Sequence, residues 1–100
     1  MSRFEKESIT KLFAAILSLE NIQECYSFFE DACTIQELEA IAQRLEVARL
    51  LSQGKSYSEV NKLTGASTAT ICRVGKCFNY GNGGYQMVLD RTESGETQND

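Results

Sequence analysis

Apolar residues recur along this chain at three- and four-residue spacing, which gives a helix one apolar stripe. Ile9, Leu12, Phe13, Ile16 and Leu17 predict a first helix over about Glu5 to Ser18. Asn21 is placed to cap a second, about Ile22 to Ala32, in which Ile22, Cys25, Tyr26, Phe28 and Phe29 cover a wide face. Thr34-Ile35-Gln36-Glu37 is a capping box, in which hydroxyl and carboxylate each satisfy a backbone N–H at a helix start. The third helix it opens carries Leu38, Ile41, Leu45, Ala48 and Leu51, widened by Val47 and Leu50, and ends near Gly54, a residue suited to the left-handed C-terminal conformation. The Leu38, Ile41, Leu45, Ala48 stripe is expected to be core and to build a dimer, because so much apolar surface on short helices calls for a partner.

Two short helices follow. Ser56-Tyr57-Ser58-Glu59 is a second capping box, opening a helix that includes Val60 and Leu63. Thr64-Gly65-Ala66 makes a tight turn, and Ser67 caps the next helix, about Thr68 to Phe78. A short helix, a turn with central glycine and a capped second helix make a helix-turn-helix over 56–78. Val60, Ile71 and Val74 fall where its helices pack, while Thr68, Ala69 and Cys72 lie on another face that a DNA groove can meet. Asn79 to Gly84 reads as a flexible loop, and Tyr85 to Asp90 as a short closing helix within 84–90, with Met87, Val88 and Leu89 packing inward. Residues 91–100 are polar and acidic and are expected to be a disordered tail. The chain therefore reads as one all-α domain over 1–90 with about six helices, of which those in 1–54 serve dimerisation.

Charge changes this picture more than its sum suggests. The net charge is −4, but residues 55–78 carry Lys55, Lys62, Arg73 and Lys76 against Glu59 alone, between acidic flanks. Phosphate contacts are expected in that basic segment, with Lys62 and Lys76 adding salt-dependent affinity. The four cysteines lack the paired spacing of a zinc site and there is no histidine, so no metal or other cofactor is expected. Free, mostly buried thiols are the expectation, and Cys72 and Cys77, five apart, do not share a face as a redox pair would. No glycine-rich phosphate loop or partnered carboxylate cluster supports an enzyme. The N-terminus has no secretory pattern and no apolar run is long enough to span a bilayer, which predicts a cytoplasmic protein.

The segments QELEAIAQRLEVARLLSQGKSYSEV and TGASTATICR, with NYGNGGYQMVL beyond them, resemble the Trp repressor superfamily and, within it, its YerC/YecD branch. The resemblance implies an intertwined helical homodimer that presents two helix-turn-helix units to double-stranded DNA, binding a near-palindromic operator as a transcriptional regulator, usually a repressor. Carried over residue by residue, it implies a recognition helix over Ser67 to Phe78 with Thr68, Ala69 and Cys72 facing bases and Thr70 towards phosphate. Ser58 and Asn61 take groove- and backbone-contacting positions. The two arginines between which the Trp repressor holds its corepressor match Arg44 and Arg73, and Cys77 stands where a serine closes the indole end. That pair suits a small amino-acid-like effector.

Three departures argue against tryptophan itself. Val74 replaces a glycine on the pocket floor, Cys77 is a poorer hydrogen-bonding partner than serine, and one residue is missing between Gly54 and Ser56. The rival reading for Arg44 is an ion pair with Glu46 or Glu39, and for Arg73 a surface ion pair. For the whole chain, the rival is a helix-turn-helix used to bind proteins without specific DNA binding.

Overall fold

The computed structural model describes residues 2 and 4–95, which form six helices and no strand. In order they are α1 (Glu7–Leu17), α2 (Ile22–Ala32), α3 (Ile35–Ser52), α4 (Tyr57–Thr64), α5 (Thr68–Tyr80) and α6 (Gly84–Gly95). None is long and apolar enough to cross a membrane.

The helix starts follow their local signals. Asn21 Oδ1 accepts from the Glu24 N–H at 2.9 Å, and Ser67 Oγ from that of Thr70 at 3.1 Å. Both capping boxes close in both directions. Thr34 Oγ1 accepts from Glu37 N–H and Glu37 Oε1 from Thr34 N–H, and Ser56 and Glu59 repeat the pattern. Gly54 and Gly65 have φ of +85° and +75°, the left-handed conformation that ends α3 and α4. The Ser56 N–H holds the Glu59 carboxyl below the usual glutamate range. A carboxylate with a depressed folded-state pKa stabilises at neutral pH and loses that contribution as pH falls through its folded value. Ser56→Ala removes the hydroxyl that accepts from the Glu59 N–H and is expected to cost about 1 kcal/mol in urea melts at neutral pH. Glu59→Gln should make the acid limb of the stability–pH curve shallower, and an unchanged limb would show that the box adds no pH dependence.

Contacts divide the chain into Met1–Leu38 and Glu39–Asp100. In the first unit no residue of α1 or α2 is buried. Phe28 and Phe29 meet edge to face with centroids 5.1 Å apart. Ile22, Cys25, Tyr26, Phe29 and Leu38 line an open apolar groove, while Leu12, Phe13, Leu17, Ile22, Tyr26 and Ile35 stand exposed.

The second unit holds the core: Val47, Ala48, Leu50, Val60, Ala66, Ile71, Val74 and Leu89, with Leu51, Phe78 and Tyr85 packed against it. α4 packs on α5 and α5 on α6. The division falls inside α3, because the C-terminal half of α3 is part of this core. Within α3 the expected stripe splits: Ala48 is buried, but Ile41 and Leu45 are 55% and 40% exposed, and Val47 and Leu50 take the inward positions.

Three further expectations are corrected. α5 continues two residues past Phe78, so Asn79 and Tyr80 are helical and the loop shortens to 81–83. α6 continues past Asp90 to Gly95, so 91–95 are not a disordered tail; Thr92 Oγ1 donates to the Val88 carbonyl at 2.8 Å within the added turn. The remaining tail residues, 96–100, lie outside the described residues. Of Met87, Val88 and Leu89 only Leu89 is buried, because three consecutive residues of a helix cannot share a face, and Tyr85, one turn earlier, completes the stripe.

Candidate nucleic-acid interface

The α4–α5 pair is built by burying one face of each helix. Val60 from α4 and Ile71 and Val74 from α5 are at most 1% exposed, with Ala66 closing the turn between them. All three helical positions are those the sequence assigned to this contact. The third inward position of α5 is Gly75. A Cβ there would lie 2.5 Å from Tyr57 Oη, so a side chain at this position would have to displace the tip of the Tyr57 side chain.

Burying that face turns the other outward. Thr68, Ala69, Cys72, Arg73, Lys76 and Cys77 are exposed along α5, and Thr70 is half-buried. Ser67 is exposed, and its hydroxyl accepts from the Thr70 N–H and donates to Thr70 Oγ1 at 3.1 Å, so both side chains are partly occupied in starting the helix. On α4, Ser58 and Lys62 are exposed, and their side chains form no hydrogen bond with the described residues. Asn61 is also exposed, but its Nδ2 donates to the Ala66 carbonyl at 2.8 Å. One amide hydrogen is thus committed to the turn, leaving one for another contact.

Arg44, on α3, is half-buried and Arg73 is exposed. Neither forms an ion pair with the described residues; of the two partners the rival reading offers Arg44, Glu39 and Glu46, the second pairs with Arg49, whose guanidinium holds the Glu46 carboxyl below its usual range. Val74 points into the core, as a helix-turn-helix packing residue does. The cysteines correct another expectation: all four are free, but Cys25 and Cys33 are only half-buried, and Cys72 and Cys77 are exposed on α5. No cluster able to hold a metal ion occurs among the described residues.

Sequence reasoning missed Gln43. Its Nε2 donates to the Thr64 carbonyl at 3.3 Å, across 21 positions, and a contact at that separation leaves no local signature. It also missed the Tyr57–Gly75 approach, for which a glycine in mid-helix was a usable signal.

Comparison with known proteins places this architecture. The Bacillus subtilis (strain 168) uncharacterized protein YerC is 50% identical over 98 residues, covering 98% of this chain and 94% of that protein. The crystal structure of a Staphylococcus aureus protein named for the Trp repressor superposes with a TM-score of 0.87 at 45% identity, covering 91% of each chain. A TrpR-like protein from Eubacterium eligens ATCC 27750 gives 0.85 at 47% identity, over 89% of this chain and 92% of that one. Residues 7–93 match the Trp repressor protein family, and with a half-identical relative over nearly its whole length the chain belongs to that family.

Proposed function

We propose that this protein is a sequence-specific DNA-binding transcriptional regulator, a cytoplasmic repressor that acts as a homodimer on a near-palindromic operator. The observation that carries the reading is the division of α5. Ile71, Val74 and Gly75 are buried, while Thr68, Ala69 and Cys72 remain exposed with Lys76 beside them. A helix fixed on one side and bare on the other, in a basic segment, suits insertion into a major groove. The unburied α1 and α2 supply the surface that a second copy covers, and a two-fold dimer sets its recognition helices one DNA turn apart, about 34 Å. Repression follows where the bound site overlaps a promoter. Arg44 and Arg73, both without an ion-pair partner among the described residues, are assigned to a small carboxylate-bearing effector, with Cys77 near its rim. Val74 argues against tryptophan.

The test is selection of fragments from randomised and genomic DNA by the purified protein at fixed salt, with and without an amino-acid pool. Enrichment of a palindrome supports the dimeric regulator, and dependence on the pool supports the effector assignment. A folded protein that enriches nothing refutes DNA recognition and favours a protein-binding module. On the selected site, Lys62→Ala and Lys76→Ala should weaken binding to all sequences and lower the salt slope by about 1 each. Changes at Thr68 or Cys72 should alter preference among bases, by about 1–3 kcal/mol per readout lost. An unaltered preference in both would refute the assignment of that face.

A further inference from the structure

The turn between α4 and α5 is held by three side chains. Thr64 Oγ1 donates to the Val60 carbonyl at 2.7 Å and accepts from the Ala66 N–H at 3.1 Å, and Asn61 Nδ2 donates to the Ala66 carbonyl. Both residues belong to α4 and brace the turn from within. The third side chain comes from outside: Gln43, half-buried on α3, donates to the carbonyl of Thr64, the last residue of α4. That carbonyl is among those a helix leaves unsatisfied at its C-terminus. The Gly65 N–H returns to the Asn61 carbonyl, and Ser67 starts α5 two residues later.

The geometry points to Gln43 as a positioning residue for DNA binding, one that ties the turn to α3 and so fixes where α5 begins relative to it. This rests on the DNA-binding reading above. The α3 residues buried in the core shared with the helix-turn-helix, Val47, Ala48 and Leu50, are apolar. Apolar burial is non-directional; it holds α3 against the pair but leaves small slides and rotations cheap. A hydrogen bond is directional, and this one acts at the hinge between α4 and α5. In a two-headed binder both recognition helices must enter successive grooves together, so a loosened hinge lowers affinity without changing which bases are read.

The test uses the full chain. Gln43→Met keeps length and removes the donor, while Gln43→Lys keeps a donor of similar reach. Hydrogen exchange of the Gly65 and Ala66 amides, which bond the Asn61 carbonyl and Thr64 Oγ1, reads without DNA how firmly the tie at the Thr64 carbonyl holds the turn, and binding to the fragment selected by the wild type reads its consequence. Gln43→Met is expected to speed exchange at Gly65 and Ala66 about 5-fold, with Val60 and Ile71 amides unchanged. It should weaken DNA binding about 3- to 10-fold, as for one modest hydrogen bond, with base preference and salt slope retained. Gln43→Lys should restore slow exchange. Wild-type exchange in Gln43→Met overturns the tie, and faster exchange with unchanged affinity overturns the positioning role. A wild type that selects no DNA defeats the DNA reading separately, and the exchange arm still decides whether Gln43 holds the turn.

Discussion

A Phe13→Asp, Leu17→Asp variant is expected to lose self-association, raising the dimer dissociation constant at least about 100-fold, and to lose binding to a palindromic site with it. Phe13 is 56% and Leu17 84% exposed on a helix with no buried residue of its own. Fully burying a side chain of this kind contributes about 1.5–3 kcal/mol, and an unpaired carboxylate in its place carries a desolvation cost as well. In a two-fold interface each substitution acts twice. Sedimentation across a concentration series checks the association. The 39–95 core contains neither residue, so its helical signal and melting should persist. A variant that associates like the wild type would refute the assignment of α1 to the dimer interface.

The second large effect falls on the other unit. Ile71→Ala is expected to cost about 2–5 kcal/mol, the usual range for truncating a fully buried aliphatic side chain, and to lower the melting temperature by more than about 10 °C in a domain this small. Ile71 is 1% exposed and, with Val47, Val60 and Val74, is among the largest fully buried side chains. Its neighbour Cys72 is exposed, so Cys72→Ala should stay within about 0.5 kcal/mol. Urea melts of the two variants report which side of α5 faces the core. Equal midpoints, or a larger loss at Cys72, would refute the orientation on which the proposed DNA-binding surface depends.

What the sequence made legible was mostly local. Caps at Asn21, Thr34, Ser56 and Ser67 and left-handed glycines at 54 and 65 are encoded within three or four residues. Val60, Ile71 and Val74 were readable because a short helix-turn-helix leaves few ways to pack. α3 was harder: it has apolar residues on more than one face, and periodicity does not say whether Ile41 and Leu45 or Val47 and Leu50 turn towards the chain's own core. The extension of α6 through Arg91 and Thr92 was hidden because a solvated helix and a polar tail have the same composition. At the candidate interface, the exposed residues of α5 followed from the inward ones. Gln43 did not, because its bond depends on how α3 docks beside the turn.

The absence of any buried residue in α1 and α2 has a consequence for dosage. If a second copy must cover those helices before two recognition helices can act together, the active species is second order in chain. Well below the dissociation constant, halving the chain cuts the dimer about fourfold by mass action. Promoter occupancy would then fall more steeply than expression. On the proposed function, the exposed N-terminal helices would thus give the regulator a threshold, and stronger or weaker covering of α1 would move that threshold without altering the face that α5 presents.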